Sequence, residues 1–135
     1  MRSSKWLLVV LLLSVVVAGC GPTMLNTKGR VLKNGEPFRT EPDQYLRVTF
    51  VPIVPEGERP QDYYVAEYNR DDGTFRVAGK DGRGLPPGKY RVALELDRKR
   101  SDLWRGKYDA DKSPYVFDVD AKTEEIVIDL DKPPT

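Results

Sequence analysis

Apolar side chains recur at every second position through most of this chain, in short segments. The clearest segment runs from Tyr90 to Asp97, where Tyr90, Val92, Leu94 and Leu96 alternate with charged or small residues. Successive side chains of a β-strand point to opposite faces, so this period predicts a strand with one buried and one solvated face. Beyond residue 28 no stretch has a convincing helical period. The sequence therefore predicts an all-β domain.

Seven runs of this kind are separated by clusters of Gly, Pro, Asn and Asp, which are typical of turns. Asn34-Gly35 is a strong signal for a tight turn with positive φ, and Leu85-Pro86-Pro87-Gly88 is typical of a type II turn. The predicted strands cover residues 29–32, 45–51, 63–68, 74–78, 90–97, 115–119 and 126–130. Seven strands in roughly 105 residues is the strand density of a β-sandwich.

The first twenty residues have the pattern of an export signal. Arg2 and Lys5 precede an apolar run that starts at Trp6, and the run ends at the small residues before Cys20. The run is shorter than the roughly 20 apolar residues that a transmembrane helix needs. We therefore expect a cleaved leader and not a membrane span.

The tetrapeptide Val17-Ala18-Gly19-Cys20 resembles the lipobox of bacterial lipoproteins. The resemblance implies a diacylglyceryl group, with acyl chains such as palmitate, on the sulfur of Cys20, and removal of residues 1–19 as a signal peptide. Cys20 is the single cysteine, so it has no disulfide partner within the chain. The expected location is the bacterial cell envelope, at the outer membrane or the outer face of the cytoplasmic membrane. The alternative is an ordinary cleaved signal that leaves a free thiol.

Residues 20–28 are predicted to be the lipidated cysteine and a short tether, and residues 29–131 the folded domain. Several pieces of that domain occur in a characteristic order: Gly29-x-Val31, Asn34-Gly35-x-Pro37, Val48-x-Phe50-x-Pro52, Asp72-Gly73-x-Phe75 and Leu85-Pro86-Pro87-Gly88-x-Tyr90-x-Val92. Together they resemble the carboxypeptidase regulatory-like domains, a transthyretin-like (prealbumin-like) family. The resemblance implies a seven-stranded Greek-key β-sandwich that acts as an accessory or interaction module without catalytic residues. Asn69-Arg70 departs from the Thr-Asp pair that family members often place before the Asp-Gly turn.

The chain contains no histidine, which excludes Ser-His-Asp and Cys-His catalysis and removes the commonest zinc ligand. Hydroxyisourate hydrolysis, known in the broader transthyretin-like fold, depends on histidines and is not expected here. Asp109, Asp111, Asp118 and Asp120 are candidates for paired acid/base carboxylates, but alternation makes a solvated strand face the simpler interpretation. The turn 69–73 lacks the alternating ligand spacing of a calcium loop. We expect no catalytic residue, no metal and no cofactor.

The candidate binding surface is an irregular basic segment, residues 98–108, which follows the predicted strand 90–97 and interrupts the alternation. Five cations and two aromatic residues share this segment with one acid; its named members are Arg98, Lys99, Arg100, Trp104, Arg105, Lys107 and Tyr108. Such a segment could contact phospholipid headgroups or an acidic polysaccharide. The alternative is a solvated loop whose Trp104 packs back over a sheet edge. The loop from Pro52 to Pro60 is a second candidate contact.

Aromatic residues raise one further hypothesis, a sugar-stacking platform made of Tyr63, Tyr64, Tyr68, Trp104 and Tyr108. Alternation sends Tyr63 to the opposite side of its strand from Tyr64 and Tyr68, so at least one of the three is expected in the core. A carbohydrate-binding module for envelope or extracellular polysaccharide is therefore the alternative to a structural or protein-interaction role.

Charge argues against nucleic acid as a partner. The leader holds two of the 22 basic residues and none of the 21 acidic ones, so its removal leaves a chain that is close to neutral. The expected partners are the membrane, through the lipid on Cys20, and an unidentified envelope protein or polysaccharide.

Overall fold

The computed structural model describes Gly19, Gly21 and residues 23–134. The lipidation site Cys20 lies outside the described residues. So does the predicted signal peptide except Gly19, and with it Val17 and Ala18 of the lipobox. The described part is all-β, with nine strands and no helix, which confirms the predicted class. None of it forms a helix with the length and hydropathy needed to cross a bilayer.

The strands are β1 (Thr27–Lys33), β2 (Glu36–Pro37), β3 (Gln44–Pro52), β4 (Tyr64–Tyr68), β5 (Thr74–Val77), β6 (Gly88–Arg98), β7 (Ser101–Asp102), β8 (Val116–Val119) and β9 (Ile126–Asp129). Each of the seven predicted runs overlaps one of the longer strands, and β1, β3 and β6 extend one or two residues beyond their runs. The two additional strands, β2 and β7, have two residues each and fold back on β1 and β6. A run of two residues shows no period, so alternation cannot reveal such strands.

Hydrogen-bonded neighbours follow the order β2-β1-β5-β4-β3-β6-β7, with β8 also paired to β6 and β9 to β1. All of these pairs are antiparallel except β1 with β9, which is parallel. The longest pairing joins β3 to β6 over nine residues, from Gln44 opposite Arg98 to Pro52 opposite Tyr90. This register places Val48 opposite Leu94 and therefore aligns the two apolar faces.

One core receives side chains from both halves of this strand order. Val48 and Val92 of the central strands and Val31 and Ile128 of β1 and β9 are all fully buried in the same cluster. Phe50 bridges the halves, with its ring centroid 5.9 Å from that of Phe75 in β5. Burial on β6 alternates as the sequence predicts, because the two-residue period sends its apolar side chains inward.

Tyr115 joins the segment before β8 to the edge strand β9. Its side chain is fully buried, and its hydroxyl donates a hydrogen bond of 2.8 Å to the carbonyl oxygen of Asp129. Burial of the ring raises the pKa of the Tyr115 hydroxyl, so this group remains a hydrogen-bond donor. An edge strand presents backbone groups without ladder partners, and this bond satisfies one of them.

Strand register defines two opposite ends of the domain. Thr27 at the start of β1 pairs with Val77, and Gly88 at the start of β6 pairs with Val119. We call this end, with the loops 53–63, 79–87 and 120–125, the tether end. The opposite end, with the turns 34–35, 69–73, 99–100 and 103–107, is called the far end. The 11 residues of β6 run from one end to the other, a distance of about 33 Å.

The sheet extends into residues 20–28, the segment that the sequence assigns to a tether. Leu25 and Leu85 exchange backbone hydrogen bonds of 2.8 and 3.0 Å, and Thr27 is buried. Gly84 permits this contact, since a Cβ atom there would lie 1.8 Å from the carbonyl oxygen of Leu25. The chain is therefore held against the tether end from Leu25 onward.

Candidate binding surface

The basic segment 98–108 begins with a tight hairpin. Arg98 of β6 pairs with Ser101 of β7, and the two residues between them, Lys99 and Arg100, have φ values of 51° and 66°. Two successive residues with positive φ form the turn that matches the twist of a two-residue hairpin. Both side chains are exposed. The hairpin therefore carries two cations at its tip, at the far end of the domain.

Asp102 fixes the turn that follows the hairpin. Its Oδ1 atom accepts hydrogen bonds from the backbone N–H of Leu96 at 3.1 Å and of Trp104 at 3.0 Å, and its Oδ2 atom accepts one from Gly106 at 2.8 Å. Partial burial of the carboxyl group raises its pKa, but the bonds from Gly106, Trp104 and Leu96 outweigh burial and leave the pKa of Asp102 below its usual value. The one acid of the segment is thus occupied by the backbone.

The two aromatic residues of the segment pack inward. The ring of Trp104 lies edge-on to that of Tyr108, with the two centroids 5.1 Å apart. The centroid of Trp104 also lies 6.0 Å from that of Phe38. Tyr108 is buried and is bridged to Leu94 of β6 through backbone hydrogen bonding. These contacts match the interpretation in which Trp104 packs over a sheet edge, and they hold the turn against the core.

The cations of the segment remain at the surface. Arg98 pairs with Asp43, with its Nε atom 2.9 Å from Oδ2. Lys107 lies over the ring of Tyr108, its Nζ atom 5.0 Å from the centroid, an arrangement that favours a cation. Within the described part of the chain, Lys99, Arg100 and Arg105 form no salt bridge. The far end therefore presents three cations that form no salt bridge with any described carboxylate.

We expect Asp102→Ala to destabilise the domain by about 2 kcal/mol, because three backbone donors would lose a charged acceptor. Chemical denaturation at neutral pH measures the change. Asp71→Ala is the matched control: the Asp71 side chain is exposed and accepts no hydrogen bond in the described structure, so we expect less than about 0.5 kcal/mol. Equal losses in the two variants would contradict the role of Asp102.

We expect low pH to remove the contribution of Asp102 to the stability of the domain. The pKa of Asp102 is lower in the folded than in the unfolded state, so the unfolded chain binds the proton more readily. The free energy of unfolding therefore decreases as the pH is lowered. The contribution of Asp102 is complete well above the ordinary value of 3.8 and is lost as pH falls below it. The stability difference between the wild type and Asp102→Asn should therefore shrink between about pH 5 and pH 3.

The five aromatic residues considered as a stacking platform do not share one surface. Tyr64 and Tyr108 are buried, and the hydroxyl of Tyr68 donates to the backbone oxygen of Phe38. Tyr63 is 55% exposed, on the opposite face of the chain from Tyr64. Alternation along this strand correctly predicts a core residue, and the structure shows that it is Tyr64.

The four candidate carboxylates lie in two different places. Asp109 and Asp111 line a cleft of about 440 Å³ on the outer face of β3 and β6, beside Arg47 and Tyr63. Asp118 is paired with Lys89 in the β6–β8 ladder, at the tether end. Asp120 caps the following turn, where it accepts the backbone N–H of Lys122 at 2.8 Å. Asp109 and Asp111 thus share one cleft, and Asp118 and Asp120 lie apart from it at the tether end.

The turn 69–73 uses its own oxygen atoms. Asn69 Oδ1 accepts the N–H of Asp71 at 2.9 Å, and Asp72 Oδ1 accepts the N–H of Thr74 at 3.0 Å and its hydroxyl at 2.6 Å. The hydrogen bonds from Thr74 lower the pKa of Asp72. This is the arrangement of a plain Asx turn. Among the described residues no group of three or more acidic or thiol ligands is arranged to hold a metal ion.

A larger cleft of about 850 Å³ is not predicted by the sequence. It is lined by residues of β1, β4 and β5 together with Glu124 and Glu125, and its charged members include Lys28, Glu67, Arg70 and Arg76. The residues come from four separated stretches, so only the strand order reveals that they meet. The second candidate contact, the loop from Pro52 to Pro60, lies at the tether end and is largely exposed.

Comparison with protein-family models, with curated proteins and with solved structures finds no match for this chain.

Proposed function

We propose that this chain is a lipid-anchored, non-catalytic β-domain of the bacterial cell envelope, held to the membrane through Cys20. In this proposal the domain acts as a structural or interaction module and presents its far end to an envelope partner. The leader with its Val17-Ala18-Gly19-Cys20 tetrapeptide supports the anchor. The position of Leu25 carries the proposal about orientation.

Leu25 follows Cys20 by five residues, and an extended chain of that length spans at most about 17 Å. Because Leu25 is hydrogen-bonded to Leu85, the domain itself begins there, at the tether end. A lipid on Cys20 would keep the tether end close to the bilayer. The far end, about 33 Å further along β6, would then face away from that membrane.

Charge supports the same orientation. The loops of the tether end carry seven acidic residues, Glu56, Glu58, Asp62, Asp81, Asp120, Glu124 and Glu125, against four basic ones, Arg59, Lys80, Arg83 and Lys122. Two of those cations are already paired, Lys80 with Asp62 and Arg83 with Asp81. Loops with net negative charge are not attracted to anionic phospholipid, so in this proposal the lipid on Cys20 holds the domain at the membrane.

The proposed architecture is the transthyretin-like, seven-stranded Greek-key β-sandwich of the carboxypeptidase regulatory-like domains. The seven longer strands and the single core shared by both halves of the strand order support it. The bond from Tyr115 to Asp129 also supports it, because it connects the β8 side to the β9 side. A sandwich core is built from the inner faces of two packed sheets.

A non-catalytic role is consistent with the serine environments. Beyond Cys20 the chain has two serines, and no histidine could activate either one. Ser113 is buried and its hydroxyl donates to the backbone oxygen of Val92. Ser101 pairs with Arg98 in the hairpin.

Fluorescence energy transfer to a membrane-bound acceptor tests the proposed orientation. The purified lipidated protein is reconstituted in vesicles and labelled on one new thiol, since the sulfur of Cys20 carries the lipid. Ser101→Cys places the dye at the far end and Ala121→Cys places it in a tether-end loop, both at exposed positions. We expect transfer to be at least about twofold more efficient from position 121, because the tether holds that end near the bilayer.

Equal transfer from the two positions would contradict the orientation and would indicate a domain that lies flat on the membrane. Higher transfer from position 101 would reverse it.

A further inference from the structure

We infer that Lys99, Arg100 and Arg105 form a binding site for an anionic polysaccharide that carries carboxylate or phosphate groups. The inference rests on the proposed function, since it names the partner that the far end would meet. The hairpin tip and the turn after it place these three exposed cations in one continuous segment, 99–105, at that end.

A second hairpin in the same chain provides the comparison that carries this inference. The turn between β1 and β2 is Asn34-Gly35, with φ values of 52° and 74°. The turn between β6 and β7 is Lys99-Arg100, with nearly the same φ values of 51° and 66°. Asn-Gly is the favoured pair for two successive left-handed residues, whereas long side chains are disfavoured there. The β1–β2 turn thus has the favoured pair Asn-Gly, whereas the β6–β7 turn has two cations in the same conformation.

Arg105 repeats the pattern. Its φ is 52°, so three of the four non-glycine residues with positive φ in the described structure are cations of this segment. Residues kept in left-handed conformations against their preference are concentrated at functional sites, because the surrounding structure must hold them there. Asp102 supplies that support by fixing the backbone at Leu96, Trp104 and Gly106.

Hydrogen bonds to Asp102 fix the backbone of this segment, and the side chains of Lys99, Arg100 and Arg105 are exposed. Asp102 is the nearest acid in sequence, but its oxygen atoms are bonded to backbone amides and face no cation of the segment in the described contacts. Arg100 and Arg105 offer planar guanidinium groups that bind a carboxylate or a phosphate through two hydrogen bonds. A segment fixed before binding loses less conformational freedom when a ligand arrives.

A polysaccharide fits better than a protein or the anchoring membrane. Stable protein interfaces need a desolvated apolar or aromatic centre, and within this segment Leu103, 41% exposed, is the one exposed large apolar side chain. Trp104 is partly buried against the core. The anchoring membrane would lie beside the opposite end of the domain. A polyanion needs only several accessible cations along its length, and its binding weakens with salt.

Binding of the full-length protein, purified with its lipid in detergent, to polygalacturonate tests the inference. We expect saturable binding at 50 mM salt that weakens at least tenfold at 200 mM. The double substitution Lys99→Asn with Arg100→Gly should weaken binding at least tenfold while raising the unfolding temperature, because Asn-Gly suits the turn. Loss of binding together with a higher unfolding temperature separates recognition from folding.

Arg59→Gln with Lys122→Gln is the matched control, since it removes two exposed cations from the tether end. We expect its affinity to stay within twofold of the wild type. Equal loss in both double variants would overturn the inference, as would equal binding to neutral dextran or unchanged binding after the hairpin substitution. Tighter binding to polyglutamate would assign the site to an acidic protein instead, and preferential binding of the Cys20→Ser chain to phosphatidylglycerol vesicles would assign it to lipid.

The Cys20→Ser chain should bind polygalacturonate with the affinity of the wild type. Loss of membrane attachment in this variant would therefore not change its binding to polygalacturonate. Absence of polygalacturonate binding in the wild type would likewise say nothing against the lipid anchor.

Discussion

Gly29→Ala should destabilise the domain by about 3 kcal/mol or more, a large part of the 5–15 kcal/mol that holds a typical domain folded. A Cβ atom at this position would lie 2.2 Å from the carbonyl oxygen of Ile126 and 2.4 Å from Cζ of Phe75. Gly29 pairs with both of these residues, because β1 lies between β5 and β9. Movement of β1 away from β9 would press it against β5, so we expect little relaxation of the backbone.

Gly88→Ala is the control for this prediction. Gly88 also lies in a strand, but the nearest atom to its added Cβ would be Cε2 of Tyr90 at 3.7 Å, which is an ordinary contact. We expect a change of less than about 0.5 kcal/mol or a slight gain, since alanine restricts the unfolded chain. Chemical denaturation of both variants measures the two values. Comparable losses at positions 29 and 88 would show that the crowding at Gly29 does not determine stability.

Cys20→Ser should release nearly all of the protein from the membrane fraction. Each buried methylene of an acyl chain contributes roughly 0.8 kcal/mol to membrane binding, and stable attachment takes two chains or a second signal. A serine at position 20 has no sulfur atom with which to form the thioether. The loops of the tether end have net negative charge and supply no attraction to anionic lipid. Fractionation of cells that express each variant measures the distribution.

Thr23→Ala, in the short segment between Cys20 and Leu25, is the control and should stay with the membrane. If Cys20→Ser stayed there as well, the attachment would belong to the folded domain or to an uncleaved leader.

Strand positions were predictable where the period is long enough to be read. The alternation from Tyr90 to Asp97 predicts most of β6, which runs from Gly88 to Arg98. The short strand β7 could not be found this way, because its hairpin turn is Lys99-Arg100 and lacks the usual Asn-Gly signature. The turn Asn34-Gly35 was predictable because it does have that signature.

Predicting the candidate surface required information that a local sequence pattern does not contain. The cations of the segment 98–108 are evident in the sequence, but their position at the far end follows from the pairing of β6 with β3 and β8. Tyr108 belongs to the core through its bridge to Leu94, which lies 14 residues earlier. The hydrogen bonds that Asp102 accepts from the backbone N–H groups of Trp104 and Gly106 are local and form a recognisable Asx pattern. The hydrogen bond that it accepts from Leu96 depends on the hairpin.

The chemical state of residue 20 in the native protein decides whether a lipid anchors the domain. Mass spectrometry of the N-terminal peptide, isolated from bacterial membranes, should find Cys20 as the first residue with a diacylglyceryl thioether on its sulfur. A peptide with an unmodified Cys20, or one still joined to residues 1–19, would contradict the account of a lipid-anchored envelope domain.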